Sequence, residues 1–178
     1  KDQLEKVQGE ALTDPLTNLR DRRGFERAAA TLLASRPEGL AGCALIMADI
    51  DHFKRVNDNY GHLLGDQVIR AVAQILHSNI KGRDIAARLG GEEFAILLPD
   101  TDLRAAITLA EQIRSAVGRG RLKRTGSNEY IDQVTISLGA ACGRADEAVE
   151  SLLDRADPAL YLAKQSGRNR VETAAQAA

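Results

Sequence analysis

The chain has 178 residues, of which 44% are hydrophobic and 28% are charged, a composition typical of a single soluble globular domain. Its 24 basic and 25 acidic residues leave a net charge of −1, and only 3% of the residues are aromatic. These values argue against broad electrostatic capture of nucleic acid and against a base-stacking surface for single strands. No apolar run approaches the roughly 20 residues of a membrane span, and the N-terminus lacks the apolar core of a signal peptide.

The first part of the chain predicts a helix, a turn and a second helix. Residues 1–12 are charged and favour a helix, which fits either a frayed terminal helix or the end of a longer one. Residues 13–17 combine Thr, Asp and Pro in a capping and turn cluster, with Pro15 near a helix start. A helix is expected over 22–33, before the break at 37–39.

A regular alternation of strands and helices is predicted for the rest of the chain. The apolar run 41–50 ends in an acid and is typical of a buried strand. The later strands are expected over 84–89, 94–98, 134–141 and, as a closing edge, 170–173. The helices are expected over 65–80, 103–117 and 152–165, the last ended by Ser166-Gly167. Residues 118–129 favour an exposed basic loop or ribbon, and 174–178 a loose tail.

This order of elements predicts an α+β fold. Strand, helix, two strands joined by a hairpin, helix and strand form a split βαββαβ, ferredoxin-like arrangement with an antiparallel-centred sheet. We expect the helices to pack on one face of that sheet. The two cysteines, Cys43 and Cys142, are far apart in apolar stretches, which favours buried thiols over a disulfide or a metal site.

Three acids are predicted to meet at one edge of the sheet. Asp49 closes the first buried strand, and Glu92 and Glu93 lie in the hairpin turn after Gly90 and Gly91. Carboxylates placed so close repel one another, and oxygen ligands without nearby His or Cys favour Mg²⁺ or Mn²⁺. The alternative is a solvated turn with Asp49 as a helix cap. The paired glycines favour a site, because they allow a ligand to approach the backbone.

The stretch 49–66, DIDHFKRVNDNYGHLLGD, is the richest in polar side chains that could bind a ligand. Lys54 could contact phosphates, and Asn57 and Asp66 could hydrogen-bond to a base. Each Asn or Asp taken alone is equally compatible with a turn or a helix cap. Their position between the acidic strand and a helix favours a base-reading loop.

These residues carry a family resemblance. Residues 90–94, GGEEF, resemble the signature of the GGDEF family, the diguanylate cyclases. Further family-like blocks stand in the same order and at family spacing at 14–25, 49–66, 134–141 and 156–171. Together they extend the resemblance from about Thr13 to Val171, nearly the whole chain.

The resemblance implies a catalytic domain related to nucleotidyl cyclases and the polymerase palm. Such a domain condenses two GTP molecules into cyclic di-GMP and two pyrophosphates. Each copy binds one GTP, so two copies must face each other as a homodimer. The resemblance also implies a cytoplasmic, bacterial signalling domain without nucleic-acid or direct membrane contact. It further implies that 1–12 end a signalling helix from an upstream sensory domain, and that the catalytic domain spans 13–173.

The resemblance assigns roles to individual residues of this chain. Two Mg²⁺ or Mn²⁺ ions per site would be held by the acids and by one backbone carbonyl, namely Asp49, Ile50, Glu92 and Glu93. Catalysis would involve Glu92, which could also activate the 3′-hydroxyl, and Lys54, which would stabilise the phosphates. The remaining contacts to substrate would come from Asn57, His62, Asp66, Lys164 and Arg168. Lys164 and Arg168 are four residues apart, which predicts that one helical face presents both.

The chain departs from the family pattern at one position. Many family members have Arg-x-x-Asp before the signature, where product binds and inhibits, whereas this chain has Lys81 and Asp84. Lys lacks the planar fork with which Arg binds guanine and phosphate. We therefore expect product inhibition to be weak or absent.

Two alternatives to an active cyclase remain open. A non-catalytic module of the same fold could bind GTP and signal by contact, although that usually accompanies a damaged signature. A related dinucleotide synthase could use another base. Asp66 favours guanine, however, because its carboxylate can accept hydrogen bonds from the N1–H and the exocyclic amine of guanine together.

Overall fold

A computed structural model describes residues 12–124 and 126–174 of the chain. The helices run over Arg22–Ala34 (α1), Phe53–Tyr60 (α2), His62–Asn79 (α3), Leu103–Arg119 (α4) and Val149–Gln165 (α5). The strands run over Ala44–Ile50 (β1), Ile85–Gly90 (β2), Glu93–Leu98 (β3), Ile136–Cys142 (β4) and Val171–Thr173 (β5). In these described ranges no helix is both long and apolar enough to cross a membrane.

The five strands form one mixed sheet in the order β2-β3-β1-β4-β5. The central strand β1 is antiparallel to both of its neighbours, and β5 is the parallel strand at one edge. Every residue of β1 is buried, as its apolar run predicts. The α+β fold with an antiparallel-centred sheet is therefore confirmed.

The helices cover both faces of the sheet, so the expectation of helices on one face was wrong. Alternate residues of β1 point to opposite faces, and each set is apolar. Ile46 and Ile50 pack with residues of α2, α3 and α4, whereas Leu45 and Met47 pack with residues of α1 and α5. A strand buried on both faces needs a layer on each side, which the unbroken apolar run of β1 already implied.

The turn cluster at 13–17 precedes α1 without belonging to it. The Asp14 carboxylate accepts hydrogen bonds from the backbone N–H and the hydroxyl of Thr17, at 3.0 and 2.7 Å. Helix α1 begins later, and its N-cap is Asp21, which accepts from the N–H of Gly24 at 2.7 Å. Pro15 therefore lies in the turn and not at a helix start. Apart from Leu12, the predicted helix over 1–12 lies outside the described residues.

The polar stretch after β1 is helical, so the base-reading loop was wrong as a description of its backbone. Helix α2 buries only Phe53 and Val56, three residues apart, which is too short an apolar stripe to predict from sequence. Gly61, with φ +88°, separates α2 from α3. Its left-handed backbone lets the chain turn between two helices with almost no linker.

The last helix packs unusually close to β4. A Cβ atom on Gly139 would lie 2.4 Å from the backbone nitrogen of Leu160, so only glycine allows this approach. After α5 the chain forms β5, and the N–H of Ala174 donates to the carbonyl of Ala140 at 2.9 Å. Residues 175–178 of the predicted tail lie outside the described residues.

Both thiols are free, as the sequence predicts. Cys43 is buried and Cys142 half-buried, and burial raises the pKa of each above its usual value. The prediction that both thiols are buried holds fully only for Cys43.

Candidate active site

The sheet brings Asp49 and Glu93 together at its edge. They are register partners on the antiparallel pair β1–β3, so their side chains lie on the same face. On the other side of β1, Asp49 is opposite Ser137 of β4. The N–H of Ile50 donates to the carbonyl of Glu92 at 3.2 Å, which fastens the hairpin turn to the end of β1.

Asp49 is a buried carboxylate beside other negative charges. Its Oδ2 accepts from the ammonium group of Lys164 at 2.9 Å, and its side chain is 8% exposed. Burial raises the pKa of Asp49 to about 6, Lys164 opposes this increase, and the charges of Glu92 and Glu93 add to it. The site therefore holds excess negative charge that a single ammonium group does not neutralise.

The hairpin turn is open where the signature glycines lie. A Cβ atom on Gly90 or Gly91 would meet no atom within 4 Å. Gly91 has φ +33°, whereas Gly90 has no left-handed backbone that would require glycine. Neither packing nor backbone conformation explains Gly90, which is consistent with a ligand that needs the space.

Arg88 holds this turn in place from the preceding strand. Its Nε donates to the carbonyl of Gly91 at 2.9 Å, and its Nη1 pairs with Asp14 at 3.2 Å. The signature turn is thus connected to the N-terminal turn by one largely buried guanidinium.

Helices α2 and α3 present the predicted base-reading residues. A Cβ atom on Gly65 would lie 1.9 Å from Oδ1 of Asn57, so the carboxamide of Asn57 lies directly over α3. Asp66 is the next residue of α3, and both Asn57 and Asp66 are half-buried. Lys54, in the first turn of α2, and His62, the first residue of α3, are exposed.

The two C-terminal cations do not share a helical face, so that prediction was wrong. Helix α5 ends at Gln165, and Arg168 lies in the following turn with φ +64°. The N–H of Arg168 donates to the carbonyl of Ala163 at 2.9 Å, which closes the helix with Gly167 as its left-handed residue. Lys164 instead projects from the last helical turn onto Asp49.

The donor set fits a hard divalent cation. Carboxylates on Asp49 and Glu93 supply oxygen ligands, and a cation would offset the burial and the repulsion that raise the pKa of Asp49. Within 12–124 and 126–174, no three His, Cys, Asp or Glu side chains form a ready-made cluster. Lys164 occupies one oxygen of Asp49 and would have to share or leave it.

Lys81 and Asp84, the predicted degenerate inhibition motif, form a closed turn. Asp84 accepts from the N–H of Lys81 at 2.9 Å, so its carboxylate caps the turn before β2. The intervening Arg83 pairs with Asp100 at 2.7 Å and faces away from that motif.

Sequence reasoning missed two residues that organise the site, Arg88 and Asp51. Asp51 is 5% exposed and accepts hydrogen bonds from Thr135, Ser137 and Asn169. Its position two residues after Asp49 was a signal that it could lie on the same side of the strand. Its partners are 84 to 118 residues away, so the sequence did not indicate them.

An α+β domain with an acidic sheet edge, an open glycine turn and Lys164 beside the acids has the groups to bind an anionic ligand together with a divalent cation. The sequence matches the family described as "Diguanylate cyclase, GGDEF domain" over residues 11–170. The chain belongs to this family. The resemblance to the GGDEF family that the sequence motifs indicated, and the fold that it implied, are therefore confirmed.

Individual relatives agree with this assignment. Diguanylate cyclase VdcA of Vibrio cholerae is 44% identical over 171 residues, which cover 96% of this chain and 49% of that protein. Diguanylate cyclase DgcP of Pseudomonas aeruginosa is 41% identical over 96% of this chain and 25% of that protein. This chain thus spans about half or less of the length of these relatives.

A solved structure is also similar. The GGDEF domain of DgcB from Caulobacter crescentus, in complex with c-di-GMP, superposes with a TM-score of 0.88 at 42% identity. The match covers 93% of this chain and 94% of that chain. Unlike the longer relatives, this structure corresponds to the domain itself.

Proposed function

We propose that the domain condenses two GTP molecules into cyclic di-GMP and two pyrophosphates. The observation that carries this proposal is the buried Asp49, opposite Glu93 and beside an open Gly90–Gly91 turn, in a chain of the diguanylate cyclase family. Relatives named diguanylate cyclase support the reaction, and the intact signature favours an enzyme over a GTP-binding module.

Divalent metal ions fit the acidic edge of the sheet. We assign two Mg²⁺ or Mn²⁺ ions per site to Asp49, the carbonyl of Ile50, Glu92 and Glu93. Bound there, such ions lower the pKa of an attacking hydroxyl and neutralise charge on the leaving pyrophosphate. We assign to Glu92 the further role of accepting the proton of the 3′-hydroxyl. Lys164 pairs with Asp49 at 2.9 Å, and we assign it to the triphosphate once metal ions take over the charge of Asp49.

Phosphates and base are bound by side chains on three elements. Lys54 on α2, Lys164 on α5 and Arg168 beyond it supply positive charge for the triphosphate. Asn57 and Asp66 read guanine, because a carboxylate accepts from its N1–H and its exocyclic amine together. Adenine offers no such donor pair and would leave Asp66 desolvated and unpaired, at a cost of about 1–3 kcal/mol. We also assign His62, the first residue of α3, to contact with the nucleotide.

The chemistry requires a second copy of the chain. Each domain holds one GTP, and each 3′-hydroxyl must reach the α-phosphate held by the partner. The active form is therefore a homodimer with facing sites, which an upstream sensory domain in a longer cytoplasmic or membrane-bound protein could bring together. We assign the catalytic unit to residues 13–173.

The test is incubation of the purified chain with GTP and Mg²⁺ at several protein concentrations, with products identified by chromatography and mass detection. We expect cyclic di-GMP to increase more than linearly with protein concentration and to disappear in Asp49→Asn. Asp102→Asn is a matched control, because this N-cap of α4 lies outside the site and Asn caps equally well. A parallel reaction with ATP should give no product.

Two results would contradict the proposal. If GTP bound but gave no product even after forced dimerisation, the domain would be a non-catalytic GTP-binding module. If GTP did not bind at all, the assignment of the site would be wrong.

Added cyclic di-GMP should inhibit weakly, and Lys81→Arg should strengthen that inhibition, because Arg restores the planar fork.

A further inference from the structure

Asp51 is a buried carboxylate whose two oxygens are both occupied by donors. Oδ1 accepts from the hydroxyl of Ser137 at 2.6 Å, and Oδ2 accepts from the hydroxyl of Thr135 at 2.7 Å. Oδ2 also accepts from the backbone N–H of Asn169 at 3.0 Å. These contacts join the end of β1, the start of β4 and the turn after α5. A carboxylate engaged in this way is a structural acceptor and not a free metal ligand.

The turn held by Asp51 carries Arg168 in an unfavourable backbone conformation. Arg168 and Asn169 have φ values of +64° and +47°, which non-glycine residues rarely adopt. The N–H of Arg168 is bound by α5, and the next N–H along the chain is the one that Asp51 accepts. The side chain of Asn169 accepts from Arg114 at 3.0 Å, so the turn is fixed from two sides.

We propose that Asp51 is a positioning residue that holds Arg168 where its guanidinium can bind the triphosphate. This inference rests on the proposed function, because it assigns the partner of Arg168 to a nucleotide. The guanidinium itself is exposed and forms no ion pair in the part of the chain that the structure describes, so the backbone position of Arg168 sets the region that it can reach. Strained backbone of this kind persists only where surrounding contacts impose it, and the acceptor with that role here is Asp51.

Three variants separate positioning from simple stability. Asp51→Ala removes all three hydrogen bonds, including the one to Asn169. Asp51→Asn keeps one acceptor oxygen for Thr135 and the N–H of Asn169, since the Ser137 hydroxyl can accept from its amide. Ser137→Ala is the matched control, because it removes a buried hydrogen bond from the same carboxylate but leaves Asn169 bound.

The binding assay uses 3′-deoxy-GTP with Mg²⁺, a probe that lacks the attacking hydroxyl and cannot be turned over. We expect Asp51→Ala to weaken its binding about tenfold, as loss of a charged phosphate contact would. Asp51→Asn and Ser137→Ala should stay within about twofold of the wild type. In an Arg168→Ala background, Asp51→Ala should cause almost no further loss, because both changes remove the same contact.

A second readout does not depend on nucleotide or on any variant. The backbone N–H of Asn169 in the wild-type chain should be protected from hydrogen exchange in the ligand-free protein, because Asp51 accepts its hydrogen bond. Rapid exchange of this amide would overturn the inference even if Asp51→Ala failed to fold. Additive losses in the double variant, or unchanged binding by folded Asp51→Ala, would overturn it as well.

Failure of the proposed function gives a different pattern. In that case the wild type, Ser137→Ala and Asp51→Asn would all fail to bind 3′-deoxy-GTP. This outcome would overturn both the function and the role of Asp51 in it, whereas tight binding by the wild type together with an unprotected Asn169 would overturn the inference alone.

Discussion

Replacing Asp49 with Asn should stabilise the metal-free domain while it abolishes cyclase activity. The pKa of Asp49 in the folded chain is raised to about 6, first by burial, with Lys164 opposing and Glu92 and Glu93 adding to the increase. An ionised Asp49 therefore destabilises the folded state relative to the unfolded chain. Asn has almost the same shape and carries no charge, so it removes this cost.

The size of the effect follows from proton linkage. A carboxyl whose folded pKa is raised stabilises the folded state relatively more at low pH, and that advantage is lost as pH rises from about 4 to about 6. A rise of this pKa to about 6 corresponds to at most about 3 kcal/mol above that window. The gain from Asp49→Asn should therefore be near 1 kcal/mol at about pH 4.5 and reach roughly 2–3 kcal/mol at about pH 7.5.

Urea denaturation of the wild type and Asp49→Asn in EDTA measures the gain in the free energy of unfolding at each of these two pH values. Asp102→Asn, an N-cap far from the acidic edge, should leave the free energy of unfolding unchanged at both. Addition of Mg²⁺ and GTP should stabilise the wild type and not Asp49→Asn. An Asp49→Asn variant that is equally or less stable than the wild type at the higher pH would refute the reasoning.

Three further predictions concern packing and backbone. Gly139→Ala should lower the free energy of unfolding by about 1–3 kcal/mol or more, because the added methyl group pushes α5 from the sheet. Gly90→Ala should leave that free energy unchanged and lower activity, and denaturation and turnover measurements on both variants would show the contrast. Arg36→Met should lower the free energy of unfolding by about 2–4 kcal/mol, because the buried guanidinium donates hydrogen bonds to two carbonyls and to Asp100. Arg83→Met removes only an exposed ion pair with Asp100, so its effect should be under about 1 kcal/mol. Pro158→Ala should raise the melting temperature, because proline inside α5 cannot donate an intrahelical hydrogen bond and its ring crowds the preceding turn, which together cost up to about 3 kcal/mol. An unchanged melting temperature would contradict this.

Sequence patterns predicted the strands and the long helices well, since each has one dominant period. The continuous run of β1 and the helical stripe that includes Val68 and Val72 are unambiguous signals, and both elements lie where expected. Helix α2 was missed because Asn and Asp usually favour turns, and only Phe53 and Val56 are buried. Its stability comes from packing against α3, which local patterns do not encode.

The site was predictable in its residue types but less so in its geometry. Alternation along a strand, together with the hairpin, correctly placed Asp49 beside Glu93. The shared face of Lys164 and Arg168 was wrong because Gly167 ends the helical register before Arg168. The partners of Asp51 could not be found by spacing, because they lie on strands and turns that meet only in the folded chain.

The order of strands has a consequence for how the chain folds. Both strands that pair with β1 are distant from it in sequence: Ala44 pairs with Leu98 on one side and with Cys142 on the other. Of the four strand pairs in the described ranges, three join strands that are distant in sequence, and only β2–β3 is a local hairpin. Topologies of this kind require the closure of long loops and fold slowly. During synthesis the most apolar strand stays without its second partner until β4 has left the ribosome. A chain stopped before Ile136 would expose one edge of β1 and would be prone to aggregate.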